Sequence, residues 1–132
     1  MQRLRSHRVL VALSIVALVA CAREQAAGPS AITPAELAAR ISSGSAPVIL
    51  DVRTPEEFVS GHIPGAHNVP VTELAGQLAS LNLSPSQEII VHCERGPRAA
   101  AAEAVLRDSG YTNVRDLTGH MQSWRAGKLP VE

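Results

Sequence analysis

Two apolar runs, VILDV (Val48–Val52) and EIIVHC (Glu88–Cys93), are short and lack the apolar–polar alternation of a half-wet strand. A strand that is apolar throughout is covered on both faces. The first run is bounded by Gly44–Pro47 and by Thr54–Pro55, so it has the length of a strand. Each run leads straight into a helix-start signal, Thr-Pro-Glu-Glu at 54–57 and Pro-Arg at 97–98. Proline fits the first helical turn, and threonine before it caps the exposed N–H groups. Covered strands alternating with helices form a parallel sheet with helices on both faces, an α/β fold.

The flanking sequence fits that plan. TPAE (Thr33–Glu36) predicts a capping box and a helix running to about Ser42. PRAAAAEAVLRDSG predicts a helix ending at Gly110, with Ala99, Ala102, Val105 and Leu106 on one face and small alanines that let it lie close to the sheet. Gly110 followed by Tyr111 has the form of a C-terminal cap with its hydrophobic contact. NVRDL (Asn113–Leu117) reads as a further strand, and residues 120–127 as a last helical stretch. Aromatic residues are only 2% of the chain, so the core must be built from Val, Ile, Leu and Ala. Trp124 is expected in the core or in a pocket wall, and Tyr111 and Phe58 in packing.

Residues 1–20 have the composition of a secretory signal: a basic start (MQRLRSHR), then twelve apolar residues from Val9 to Ala20. Twelve residues are too few for an ordinary membrane span. LVAC (Leu18–Cys21) resembles the bacterial lipobox, whose cysteine becomes the lipid-bearing first residue of the mature protein. By the same resemblance, Ala22 in place of an aspartate favours the outer membrane, with the domain lipid-anchored on the periplasmic side. Residues 21–31 then form the lipidated N-terminus and tether, and 32–132 the folded domain. A flexible linker of ten residues reaches about 16–19 Å, which keeps the domain near its membrane. Without residues 1–20 the chain has nine Lys and Arg against twelve Asp and Glu, a net charge of −3. Such a domain lacks the basic stripe that nucleic-acid binding requires.

The most informative stretch is VHCERGPRA (Val91–Ala99). Ligands of open parallel sheets bind beyond the carboxyl ends of the strands, where Cys93 lies. A tight turn between this strand and the next helix would aim successive N–H groups into one concavity, with the positive end of a helix dipole behind it. That environment favours thiolate, the nucleophilic form of cysteine. Arg95 and Arg98 add positive charge, Gly96 permits the turn, and Pro97 presets the helix. A buried inert thiol is the bland alternative for a lone cysteine. If Cys21 carries lipid, Cys93 has no partner for a disulfide. His92 and Cys93 do not form a ligand pair, because strand neighbours point to opposite faces.

Spacing separates the nucleophile chemistries. Cysteine-dependent phosphatases carry His-Cys, five residues, then Arg; here four residues, Glu94 to Pro97, separate Cys93 from Arg98. The shorter loop suits a sulfur anion better than a phosphate ester. The Cys-x-x-Gly-x-Arg loop resembles that of rhodanese (sulfurtransferase) domains. VILDVRTPEEFVSGHIPGAHNVP (Val48–Pro70), GYTNVRDLTGHMQSW and KLPVE are also similar to that family's pattern, so the resemblance covers about residues 32–132. It implies a sheet of about five parallel strands flanked by helices, with a Cys93 persulfide as intermediate. It also implies that Asp51 and Arg53 brace the active loop by ion pairing, and that Glu94, Arg95, Gly96, Pro97 and Arg98 form the donor-binding loop.

The implied reaction moves a sulfane sulfur from a small donor such as thiosulfate to a thiol, cyanide or protein acceptor, and needs no metal or cofactor. Two positions depart from the pattern. Glu94 follows the cysteine where many active members have a basic or small residue, and would oppose an anionic donor or point to solvent. His120 stands where the family has the second of two glycines, and would alter a turn or line the pocket mouth. His62 and His67 read as turn and hydrogen-bonding residues. The rival readings are a weakly active or non-catalytic module that grips an anion or a protein, a cysteine phosphatase or arsenate reductase, and a redox sensor cycling through sulfenic acid. The lipid reading has a direct test: Cys21→Ser expressed in a bacterial host should lose palmitate labelling and leave the membrane fraction, and retained labelling would contradict it.

Overall fold

The structure is a computed structural model that describes residues 30–132. The signal segment, Cys21 and most of the tether therefore lie outside the described residues. Five parallel strands form one sheet: β1 (Ala31–Ile32), β2 (Val48–Asp51), β3 (His67–Asn68), β4 (Ile89–His92) and β5 (Val114–Leu117). Their order is β1-β5-β4-β2-β3. Around them lie helices α1 (Pro34–Ser42), α2 (Pro55–Val59), α3 (Leu74–Gln77), α4 (Pro97–Asp108) and α5 (His120–Ala126). A 3-10 turn at Leu78–Leu81 extends α3. Residue 31, which composition assigns to the tether, is the first residue of β1 and pairs with Asp116.

The two apolar runs are the central neighbours, in register from Val48 opposite Ile89 to Asp51 opposite His92. Alternation along them sorts the core into two layers. Leu50, Ile89 and Val91 pack with Leu74, Ala99, Ala102 and Leu106 from α3 and α4. Ile49 and Ile90 pack with Leu37, Met121 and Trp124 from α1 and α5. The Trp124 indole donates to Pro130 O at 2.9 Å, which ties the C-terminal segment to this second layer.

Helix ends follow local chemistry. Thr54 closes a full capping box: its Oγ1 accepts from Glu57 N (3.2 Å) and its own N–H donates to Glu57 Oε2 (2.9 Å). At α1 only half of the expected box forms. Thr33 accepts from Glu36 N, but the Glu36 carboxylate does not return the bond. Helix α4 ends in a Schellman arrangement, with Tyr111 N donating to Leu106 O and Gly110 N to Arg107 O while Gly110 sits at φ +94.

The short β1 and β3 carry no pattern that sequence reading can detect, since two residues cannot show alternation. They are held by partners: Asp51 pairs with Asn68 across β2 and β3, and Leu117 with Ile32 across β5 and β1. The chain leaves β2 outward to β3 and returns to β4 on β2's other side. That reversal places the crevice of the fold at the carboxyl ends of β2 and β4. Because both faces of β4 are covered, Ile90→Ala and Val91→Ala should each destabilise the protein in urea unfolding, the isoleucine change by about 2–5 kcal/mol. A near-neutral result for either would mean that one face is open.

Candidate active site

Cys93 directly follows β4, and the loop to α4 turns through Glu94, Arg95 and Gly96. Gly96 has φ +137, a conformation that L side chains rarely adopt, and a Cβ there would meet the His120 ring at 3.2 Å. The turn brings Gly96 N–H onto Cys93 Sγ at 3.0 Å. From below, Met121 N donates to Cys93 O (3.1 Å) and Gln122 N to Glu94 O (3.2 Å), so the first turn of α5 takes the loop's carbonyls. The first-turn N–H groups of Arg98 and Ala99 in α4 have no carbonyl acceptor among the described residues. The loop thus turns the Cys93 and Glu94 carbonyls down onto α5 and the Gly96 N–H onto the sulfur. Cys93 is 1% exposed, so a reacting atom must be small to meet Sγ.

Asp51 and Arg53 lie fully buried at the end of β2. Arg53 grips both Asp51 oxygens, with Nη2 to Oδ2 at 2.7 Å and Nε to Oδ1 at 3.0 Å, and donates from Nη2 to Gly61 O at 2.9 Å. Asn68 Nδ2 donates to the carbonyls of both residues. The remaining Arg53 nitrogen, Nη1, makes no hydrogen bond among the described residues and lies 3.6 Å from Glu94 Oε2. Asp51 and Arg53 are therefore brought together with the loop, in contact with it through Glu94.

Glu94 neither faces the N–H groups nor points freely to solvent. Its carboxylate is held by Arg125 of α5 and lies beside Arg53. Arg98 is likewise committed: Nη1 and Nη2 bind the two oxygens of Glu57 at 2.6 and 2.9 Å. That pairing lowers the Glu57 carboxyl to about 2 and raises Arg98, with smaller contributions to Arg98 from Cys93 and Asp51. Pro97 starts α4, and Arg95 is exposed with no hydrogen bond or ion pair among the described residues.

Three participants escape sequence reading. Arg125 lies 31 positions from Glu94 and carries no local signal. Asn68 belongs to a two-residue strand. Glu57 is legible only as a capping residue, although the same carboxylate also holds Arg98. His62 matches its turn role, with Nδ1 donating to Phe58 O at 2.9 Å and the ring stacked on Phe58 at 3.7 Å.

His92 is buried beside Cys93. Its Nδ1 lies 3.3 Å from Cys93 O, and its Nε2 has no hydrogen bond among the described residues and sits 3.7 Å from Asp51 Oδ2. Burial lowers it from 6.5 to about 4, against the pull of Asp51.

A sequence profile of the rhodanese-like domain matches residues 33–127. Among similar curated proteins, the HTH-type transcriptional regulator Rv0324 of Mycobacterium tuberculosis is 41% identical over 104 residues, covering 77% of this chain and 44% of the regulator. The chain thus spans less than half of that protein. Thiosulfate sulfurtransferase 16 of Arabidopsis thaliana is 38% identical over 93 residues, covering 63% of this chain and 78% of its own. Human thiosulfate:glutathione sulfurtransferase is 31% identical over 113 residues, covering 74% and 95%. Two solved structures are also similar. The Alr3790 protein from Anabaena has a TM-score of 0.70 at 32% identity, covering 76% of this chain and 81% of its own. The human single-domain sulfurtransferase TSTD1 has a TM-score of 0.66 at 30% identity, covering 75% and 97%.

Because His92 has a lowered pKa in the folded state, the unfolded chain binds the extra proton between pH 6.5 and 4. Its contribution to stability is complete above 6.5 and is lost as pH falls toward 4, a loss on the order of 3 kcal/mol. Urea unfolding should show a flatter profile across that window for His92→Gln than for the wild type; equal slopes would contradict the assignment.

Proposed function

This chain belongs to the rhodanese-like domain family, and from that premise we propose that it is a sulfurtransferase acting through a persulfide on Cys93. The Cys93 thiolate attacks the outer sulfur of a donor. With thiosulfate the donor's S–S bond breaks, sulfite leaves with the electron pair, and Cys93 carries the sulfur as Cys–S–S⁻. An acceptor thiolate or cyanide then attacks the outer sulfur and restores the Cys93 thiolate. Charge is conserved in each step, and no electrons are needed from outside.

The observation that carries this reading is the Gly96 N–H donating to Cys93 Sγ at 3.0 Å in a loop whose carbonyls are turned away. Donors fixed in place toward a sulfur anion stabilise it in the attacking form and again as the persulfide. Thiosulfate and glutathione appear in the names of two relatives, which supports a thiosulfate-type donor and a thiol acceptor. Arg98 is already paired with Glu57, so Arg95 is the loop cation left to meet a donor's negative charge. The burial of Cys93 disfavours a bulky phosphate ester. The lipobox-like LVAC supports placing this activity on a lipid-anchored domain at the periplasmic face of a bacterial outer membrane.

A second reading, a module that binds without transferring sulfur, is favoured by the transcriptional-regulator relative. One assay separates the two. Mass spectrometry of the protein after thiosulfate, and after a panel of other sulfane donors, should show one added sulfur that Cys93→Ser abolishes. No added sulfur with any donor would overturn the enzyme reading in favour of the module.

A further inference from the structure

His120 stands immediately before the residues whose N–H groups hold the loop. It adopts φ +52, in the left-handed region, directly after Gly119 at φ +70. Its ring is buried beneath the active loop. Nδ1 accepts the Cys93 N–H at 3.3 Å, and the ring edge lies against Gly96, where an added Cβ would meet Nε2 at 3.2 Å and Cδ2 at 3.6 Å. One imidazole therefore touches both ends of the turn that directs N–H onto Sγ. Accepting at Nδ1 places the ring proton on Nε2, which faces Asp116 Oδ1 at 3.5 Å.

We infer that His120 is a positioning residue for Cys93: its neutral imidazole fixes the Cys93 amide and, through Gly96, the N–H that serves the sulfur. The role rests on Cys93 being the reacting atom. A left-handed histidine is conformationally unfavourable compared with glycine, so a ring retained for the turn alone is poorly explained. The charged and titratable groups around it are consistent with a neutral ring. Cys93 and His92 face it from the end of β4 and Asp116 from β5, while Glu103 of α4 acts on it from further away. Glu103 and Asp116 are both raised, by burial first, and Arg107 draws on both carboxyls. Burial lowers His120 from its ordinary 6.5, with Glu103 opposing. Protonation would set an Nδ1–H against the Cys93 N–H, two donors face to face, and release the amide.

The test uses two variants of the protein and a neutral alkylating agent, iodoacetamide, so that thiol positioning is read without any sulfur donor. His120→Gly suits the backbone angle but removes the acceptor. It should melt at or above the wild-type temperature yet alkylate Cys93 with a rate constant altered by about tenfold, the scale of one lost hydrogen bond. It should also form persulfide more slowly from thiosulfate. His120→Asn keeps a side-chain acceptor and tolerates the left-handed angle, without titrating. It should restore wild-type rates at neutral pH, and the wild-type to Asn ratio should depart from one only as pH falls below 6.5. Wild-type alkylation kinetics in His120→Gly, or a wild-type to Asn ratio independent of pH, would overturn the inference. If alkylation responds as expected while the wild type forms no persulfide with any donor, the sulfurtransferase reading fails and the positioning role stands.

Discussion

The carbonyls of Cys93 and Glu94 accept hydrogen bonds from Met121 and Gln122 at the start of α5, and the geometry of the loop depends on that pair of contacts. A trans peptide unit whose carbonyl is held on one side points its own N–H to the other, so the Glu94 and Arg95 N–H groups face away from α5. The loop need not be long or rich in glycine to bring an N–H onto the sulfur, because a helix from a later part of the chain holds two of its carbonyls. The sheet supplies the frame: β4 delivers Cys93 and β5 delivers α5, and they are adjacent parallel strands in register from Ile89 opposite Val114. Contacts between neighbouring strands, their helices and the loop are thus one continuous arrangement.

Charge is distributed with the same economy. Glu94 is an acid beside Cys93, yet its carboxylate is paired with Arg125 and approached by Arg53, the latter already paired with Asp51. Isolated charges buried at the end of β2 would be strongly unfavourable, and each is matched within hydrogen-bonding distance. Breaking this set from either side would leave an uncompensated charge next to the loop. Arg98 and Glu57 form a second pair that fastens α4 to α2 across the crevice. These pairs fix where the loop sits, and Arg95 stays exposed with no hydrogen bond or ion pair among the described residues.

Much of this was legible in the chain because it is written in local pattern. The runs at 48–52 and 88–93 announce covered strands by lacking polar alternation, and Thr54, Pro55 and Glu57 announce a capped helix. The Cys-to-Arg spacing, with the motifs around it, points to the rhodanese-like family before any coordinates. What was hidden is what depends on distance in space. Strands of two residues exist only because neighbours pair with them. The partner of Glu94 sits 31 residues away. Arg98, which the family resemblance makes a donor-binding residue, is claimed by a carboxylate 41 residues earlier, one that sequence shows only as a cap. His120 stands out as a departure from a two-glycine pattern, but its contact with the Cys93 amide becomes visible only when β5 is laid beside β4.

On the proposed reading, the N–H groups of the loop and of the first turn of α4 hold a sulfur anion on Cys93. A crystal structure of the protein after reaction with thiosulfate tests it most directly. The expected result is a second sulfur bonded to Cys93 Sγ and within hydrogen-bonding distance of loop or first-turn N–H groups of α4, with the carbonyls of Cys93 and Glu94 still on α5. An added sulfur turned away from those N–H groups, or a loop whose carbonyls face the sulfur, would contradict it.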